Sequence, residues 1–338
     1  MTLGIGVIGL GFMGRTHLGA YAAADDRCRV AGVFDLDPDR LSGEVSGGGN
    51  IDTGDHERLF DPEDVFATDS LGELLARDDI DAVSICTPTD SHTAIATEVI
   101  RAGKHALIEK PVAIDRAAVH ALADEAARAG VICMPAMCMR FWPEWAWLHR
   151  RVTAARDSVR SLAFERIGAA PAWGQGFYQD DTRSGGALYD LHIHDSDFVV
   201  HLLGVPDAVT SVGDRSRVTT IYHFENGPRH VVASGGWLRG GAAFRMRYLA
   251  EFNDGTADFD LLREPTLTLS AASAEGDPQP VEVPSGDGYS HEIGAFIDAC
   301  ANHAAPPVTL ADAAATLAVL EAEARSLETS RREPVRTA

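Results

Sequence analysis

Short apolar runs alternate with amphipathic stretches through the first third of this chain. Residues 5–8, 29–34, 82–86 and 106–108 are brief, rich in β-forming residues and bounded by turn formers. Between them, residues 91–102 and 116–129 place apolar side chains at helical spacing. Apolar strands alternating with helices predict a parallel sheet covered on both faces. Residues 131–134 add a further strand. Residues 42–62, rich in glycine and acids, break the rhythm and predict a long loop between the second helix and the third strand. In a doubly wound sheet that connection lies away from the ligand edge. Asp52, Asp55, His56 and Glu57 are therefore read as a solvated loop with no catalytic role.

From about residue 160 the pattern becomes strands in series, at 161–167, 209–212, 218–224, 230–234, 245–252 and 266–269. Turns such as Glu225-Asn226-Gly227 and Asn253-Asp254-Gly255 suit hairpins. One helix is predicted at 190–203, and two more, at 290–302 and 310–330, close the chain. The expected fold class is an α/β domain with a doubly wound parallel sheet, followed by an α+β domain with a large, mostly antiparallel, open-faced sheet. The expected boundary puts residues 1–125 in the first domain, with 131–150 adjoining it, and 126–338 in the second.

The length of 338 residues suits two domains. With 45% hydrophobic and 23% charged residues, dominant disorder is not expected. A net charge of −21 gives no electrostatic footprint for a phosphate backbone or an anionic lipid surface, so neither a nucleic-acid nor a membrane partner is expected. No apolar run approaches the roughly 20 residues that span a bilayer. The opening MTLGIGVIGLGFMG lacks the basic start of a secretory signal. The five cysteines, Cys28, Cys86, Cys133, Cys138 and Cys300, form no Cys-x-x-Cys pair and read as reduced, buried thiols. A cytoplasmic location is the expectation. Only Lys104 and Lys110 are lysines, whereas arginine is used freely, so each lysine carries more information than usual.

Residues 9–14 read Gly9-Leu10-Gly11-Phe12-Met13-Gly14, between a predicted strand and a predicted helix. In that context the spacing predicts a dinucleotide site on a Rossmann domain. Gly9 allows the tight turn, Gly11 lets a pyrophosphate approach the backbone at Phe12 and Met13, and Gly14 lets helix and strand pack closely. The helix start would face the phosphates with its unpaired N–H groups. Asp35 follows 21 residues after Gly14, at the end of the second strand. It can accept bonds from the ribose hydroxyls, or serve only as a turn residue, or do both. With Asp37 beside it and Arg40 the only close cation, NAD is expected in preference to NADP.

Lys110 follows a strand at the sheet edge where ligands bind in such folds. A lysine there can stabilise a developing alkoxide and has a tunable proton, which an arginine lacks. Lys104, beside a glycine at a helix end, reads as a helix-terminal charge. Asp190 and His194 are four apart, which on a helix gives one face, and a histidine beside a carboxylate is a natural proton acceptor. At spacing two, His192 should point elsewhere, as a hydrogen-bonded supporting or interface histidine. His192-x-His194 with Asp195 and Asp197 is also a metal-ligand pattern. The neighbouring motifs assign this helix to a substrate pocket instead, and no metal site is expected. Trp173, with Arg166, Asp180 and Asp181 in a polar loop, is a candidate substrate contact, since flat rings stack on sugar faces. Trp145 and Trp147 read as core.

Cys86-Thr87-Pro88-Thr89-Asp90-Ser91-His92, Ala102-Gly103-Lys104-His105, Glu109-Lys110-Pro111 and Gly186-Ala187-Leu188-Tyr189-Asp190-Leu191-His192-Ile193-His194-Asp195 occur in that order. Together they resemble the Gfo/Idh/MocA family of oxidoreductases, across nearly the whole chain. The resemblance implies that Lys110, Asp190 and His194 are catalytic and also contact substrate. It implies that Thr87, Pro88, His92, Glu109 and Lys110 line the cofactor. Met139-Arg140-Phe141-Trp142-Pro143 resembles the family's Arg-x-x-Pro step, so Arg140 is a candidate for reaching cofactor or substrate. The activity implied is NAD(P)-dependent hydride transfer at a secondary alcohol or ketone of a sugar, sugar derivative or cyclitol. A lyase or glycosidase using tightly bound NAD for transient oxidation, and a non-catalytic NAD-binding sensor, are the alternatives. A homodimer or homotetramer through the second-domain sheet is also implied.

Overall fold

A computed structural model describes residues 2–44, 58–171, 176–273 and 276–337. Trp173 and the acidic segment containing Asp52, Asp55, His56 and Glu57 lie outside the described residues. The chain divides into two compact units.

The first unit comprises the described residues of Met1–Cys138 and Asp287–Ala314, with a short piece ending at Phe177. Its elements are β1 (Leu3–Ile8), α1 (Phe12–Ala22), β2 (Cys28–Phe34), β3 (Phe66–Thr68), α2 (Leu71–Leu75), β4 (Ala82–Ile85), α3 (Thr89–Arg101), β5 (His105–Glu109), α4 (Arg116–Ala129) and β6 (Cys133–Ala136). The sheet runs β3-β2-β1-β4-β5-β6 and all its pairs are parallel. Its inner strands are the most buried: β4 is buried at every position and is apolar but for Ser84. Helix ends are set locally. Asp115 accepts from Ala117 N–H at the start of α4, and Gly130 at φ 69° ends it. Between β2 and β3 the described residues form a five-residue 3-10 helix, Pro38–Ser42, in place of the expected second helix.

The chain divides differently from a boundary at 125/126. β6 pairs with β5 and completes the sheet, so the first unit runs on to Cys138. Residues Asp287–Ala314 return to this unit. There Arg27 Nη2 donates to Gly294 O at 3.0 Å and pairs with Asp298 Oδ1.

The second unit contains α5 (Pro143–Ala154), β7 (Val159–Ala169), α6 (Asp181–Ser184), α7 (Gly186–Asp190), α8 (Ile193–Leu203), β8 (Ala208–Gly213), β9 (Arg217–His223), β10 (His230–Leu238), β11 (Arg245–Phe252), β12 (Gly255–Asp260), β13 (Leu267–Ala271) and β14 (Gln279–Pro280). The remaining elements are α9 (Gly288–Asn302), in the first unit, then α10 (Leu310–Thr329) and β15 (Glu333–Pro334). The nine-stranded order is β14-β13-β12-β11-β7-β10-β9-β8-β15. Every neighbouring pair is antiparallel except β7 with β10. Strict alternation along β11 turns Met246, Tyr248, Ala250 and Phe252 to the covered face. Fully buried Trp145 of α5 packs there against Phe164, Phe198 and Tyr248, with ring centroids 4.7–5.5 Å apart.

The opposite face is open. It exposes Ile221 and Leu249 among charged groups, including the Arg247–Glu165 and Arg247–Asp260 pairs. No helix among the described residues is long and apolar enough to cross a membrane. All five cysteines are buried free thiols.

Candidate active site

The glycine loop behaves as its spacing predicts. Gly9 has φ 90°, in the left-handed region that favours glycine. A Cβ on Gly14 would lie 1.9 Å from the Gly9 carbonyl oxygen, so α1 packs directly on the turn. A Cβ on Gly11 would meet nothing nearer than Arg40 Nη1 at 4.0 Å. Internal packing therefore does not demand a glycine at Gly11. Gly11 caps α1 without a side-chain bond, which leaves first-turn N–H groups for an anion. These residues fit a dinucleotide pyrophosphate.

Asp35 is buried, and its carboxylate supports the loop as well as ending β2. Leu10 N–H donates to Oδ2 at 2.6 Å and Asp37 N–H to Oδ1 at 2.9 Å. Arg40 lies 3.3 Å from Asp35 Oδ2 and 3.5 Å from Asp37 Oδ2. Arg15 is a second cation in this region: burial, then repulsion from Arg40, pulls its guanidinium below the ordinary value. Both the ribose and the turn reading of Asp35 are compatible with this placement.

At the adjoining strand ends, Thr87 is half-buried and Pro88 exposed ahead of α3. His92 faces inward: Nδ1 lies 2.9 Å from Pro111 O and Nε2 2.7 Å from Thr87 O. Burial lowers its pKa despite those carbonyls, and a neutral ring donates to only one of them. It braces the loop of Thr87 against the turn after Lys110. Glu109 is also turned inward, with Oε1 3.2 Å from His17 Nε2 and Oε2 accepting Lys110 N–H at 3.0 Å. Burial opposes its ionisation, yet the hydrogen bond from His17, with the charge and backbone N–H of Lys110, holds the carboxyl below its usual range. Lys110 follows β5 directly, at the C-terminal edge of the parallel sheet, and is half-buried. Lys104 does not cap its own helix. Its Nζ donates to Arg77 O and Ile80 O, both at 2.8 Å.

In the second unit the expected helix 190–203 is broken. Asp190 ends α7 and His194 lies in the first turn of α8. Leu191 and His192 both donate N–H to Ala187 O, so the regular ladder lapses there. The His192 ring crowds β10 at Gly235, where a Cβ would fall 2.7 Å from Nδ1. Spacing alone therefore does not put Asp190 and His194 on one face. Their exposure does single them out: from Ser184 to Val199 only Asp190 and His194 are not buried.

His192 is fully buried, with Nε2 3.3 Å from Tyr222 Oη and 3.5 Å from Glu323 Oε2. Burial is the largest influence and drags its pKa down, but the charge and hydrogen bond of Glu323, with the charge of Asp195, together outweigh it and raise the pKa. This is a buried, hydrogen-bonded position within the second unit.

Two other sequence assignments change. Arg140 is buried, and its Nε and Nη2 grip Asp197 at 2.8 and 2.7 Å, while Thr316 Oγ1 donates to the same carboxylate at 2.9 Å. Its guanidinium is thus engaged inside the unit. Arg166 does not belong to a polar loop. It is buried in β7, pairs with Asp195 at 3.0 Å and lies over the Trp145 ring. With Asp195 and Asp197 held by arginines, the metal-ligand pattern is not assembled, and among the described residues no His/Cys/Asp/Glu cluster suits a metal ion. His17, Tyr222 and Glu323 carry no sequence signal of their own: His17 follows Arg15-Thr16, and Glu323 lies between Glu321 and Arg325.

Comparison with known proteins supports the same class. UDP-N-acetylglucosamine 3-dehydrogenase of Acidithiobacillus ferrooxidans is 31% identical over 312 residues, covering 88% of each chain. Inositol 2-dehydrogenase of Rhizobium meliloti is 26% identical across 98% of both chains. The solved structure of levoglucosan dehydrogenase, in complex with NADH and levoglucosan, shares the fold. Its TM-score is 0.82 at 20% identity, over 99% of this chain and 100% of that one. Residues 3–137 match the model of an oxidoreductase family with an NAD-binding Rossmann fold. The chain is therefore an enzyme of the oxidoreductase class, built on a dinucleotide-binding unit. It belongs to the Gfo/Idh/MocA family.

Proposed function

We propose that this enzyme interconverts a secondary alcohol and a ketone on a sugar, sugar derivative or cyclitol, with NAD as the preferred dinucleotide. The observation that carries the reading is the selective exposure of Asp190 and His194 in an otherwise buried stretch. Within the first unit, Lys110 stands at the ligand edge of the parallel sheet. The names of the two relatives, a nucleotide-sugar dehydrogenase and an inositol dehydrogenase, support this substrate class. They lend none to the lyase or sensor alternatives.

Gly9, Gly11, Phe12, Met13, Gly14, Asp35, Thr87 and Pro88 would hold the dinucleotide, with His92 and Glu109 as supports from behind. When bound, it supplies the hydride acceptor or donor. In the oxidation direction His194 takes the hydroxyl proton, Asp190 orients His194, and the Lys110 ammonium stabilises the developing alkoxide. Lys110, Asp190 and His194 are also the proposed substrate contacts, whereas Arg140 is reassigned to holding Asp197.

The test is a screen of cyclitols, aldoses and their keto forms, run with both dinucleotides and followed by nicotinamide absorbance. Turnover is expected with at least one member. Absence of turnover across all of them would reject the substrate class. Around Asp35 two carboxylates already share Arg40, so a 2′-phosphate should be disfavoured. The Kd for NAD is expected to be about tenfold lower than for NADP, equivalent to ~1.4 kcal/mol. Equal or tighter binding of NADP would reject the preference, and Arg15 is the residue that would then be implicated.

The open face of the second-unit sheet supports assembly into a homodimer or homotetramer. Paired charges interrupt its apolar residues, so that interface would be mixed rather than oily. Light scattering at micromolar concentration should give a dimer or larger, and a monomer would count against it.

A further inference from the structure

Beneath Lys110 runs a buried hydrogen-bonded chain that the proposed chemistry does not use. Tyr21 Oη lies 2.8 Å from Ser84 Oγ, Ser84 Oγ lies 3.0 Å from His17 Nδ1, and His17 Nε2 lies 3.2 Å from Glu109 Oε1. All four side chains are buried within the first unit, drawn from α1, β4 and β5. A carboxylate only accepts, so Nε2 carries the proton of the His17–Glu109 bond. Nδ1 then accepts from Ser84, and Ser84 from Tyr21. The chain thus ends with a donor directed at Glu109. The other oxygen of that carboxylate, Oε2, accepts the backbone N–H of Lys110 at 3.0 Å.

A buried carboxylate without a donor takes up a proton, because burial penalises its charge. His17 supplies the side-chain donor to Oε1. We propose that His17 is a positioning residue: it keeps the Glu109 carboxylate charged and fixed beside Lys110, and thereby sets the proton affinity of the Lys110 amine. The catalytic meaning of this rests on the role proposed for Lys110, but the electrostatic linkage does not.

The other groups near Glu109 do not replace His17. His92 on α3 is turned onto two carbonyls, and burial disfavours its charged form. The thiol of Cys86, after β4, is pushed well above its ordinary value by burial, then by Glu109 and Glu292, so it carries no charge near neutrality. Glu292 of α9 is a buried carboxyl and supplies no cation to Glu109. The Glu109 carboxylate thus has His17 as its side-chain donor and Lys110 as its cationic neighbour.

The chain's two lysines make a direct test practical. Reductive methylation with 13C-formaldehyde labels Lys104, Lys110 and the terminal amine, and Lys110→Arg identifies the Lys110 signal. Its titration is then followed by NMR in the wild type, His17→Phe, His17→Gln and Glu109→Gln. Removing a neighbouring negative charge should lower the Lys110 midpoint by about one pH unit, the lower end of the shift from an adjacent opposite charge. His17→Phe and Glu109→Gln should both show it, and combining them should add little. His17→Gln, which retains a donor, should stay near the wild type. Lys104, held by two distant carbonyls, should not move.

An unchanged Lys110 midpoint in Glu109→Gln or in folded His17→Phe overturns the proposal, whatever the activity. If His17→Phe does not fold, His17→Leu, which also removes the donor, takes its place beside Glu109→Gln. A shifted midpoint with a fully active Lys110→Arg would support the linkage and overturn the catalytic role of Lys110, so the two failures are distinguishable.

Discussion

Lys110→Arg should lower kcat by roughly 10²–10⁴-fold, the usual range for a positioned acid–base group, while dinucleotide binding stays nearly intact. The substitution retains a positive charge, so loss of charge cannot explain the expected defect. It replaces a compact ammonium by a broad planar fork and a tunable proton by one that is held at all accessible pH. The site is confined: Lys110 is half-buried, between buried Glu109 and buried Pro111. The glycine loop lies on β1 and α1 and does not depend on this side chain, so NAD affinity should be spared. His194→Ala should lose activity with a comparable bias toward kcat. His192→Ala should act differently, since its ring is fully buried against Tyr222 and Glu323: reduced thermal stability should accompany any loss of rate. Single-turnover kinetics on a substrate from the screen, with NAD titration alongside, decide the matter. Normal turnover by Lys110→Arg would reject the mechanism.

Asp197→Ala should produce the largest stability loss. The Arg140 and Asp197 side chains are 4% and 1% exposed, and two charge-assisted bonds join them. Removing the carboxylate strands a guanidinium in the interior and deprives Thr316 of its acceptor. Breaking a buried pair in this way costs about 3–5 kcal/mol. At ~2–4 °C per kcal/mol for a unit of this size, the unfolding midpoint should fall by roughly 6–20 °C. Replacing both partners by apolar residues of similar volume should cost much less, because no charge is then left unpaired. Calorimetry on the single and double variants separates the cases. An unchanged midpoint in Asp197→Ala would show that the pair is not structural, and would return Arg140 to the ligand contacts first assigned to it.

Much of the first unit was legible in the sequence because its determinants are local. The parallel strands are mostly buried and so read as short apolar runs, and the glycine loop needs six consecutive residues at a fixed spacing. Lys110 stood out through its place after β5 and the rarity of lysine. The second unit was less legible. β12 has Asp258 and Asp260 in a six-residue strand, a composition that disfavours strands, and pairing with β11 and β13 decides it. β14 and β15 are two residues each and exist only through their partners. The parallel pairing of β7 with β10 joins strands more than sixty positions apart, which no hairpin signal encodes.

Within the candidate site, sequence by itself determined which residue types are present and which lie near a strand end, a glycine turn or a helix start. Tertiary structure decided which are engaged with partners inside the protein. Arg140 is held by Asp197, 57 positions away, and Glu109 by His17, 92 positions away. The helix carrying Asp190 and His194 breaks where the His192 ring meets Gly235 of another element. Backbone conformation responds chiefly to neighbours in sequence. A buried charge must find its counterpart in space, and only the folded chain brings the two together.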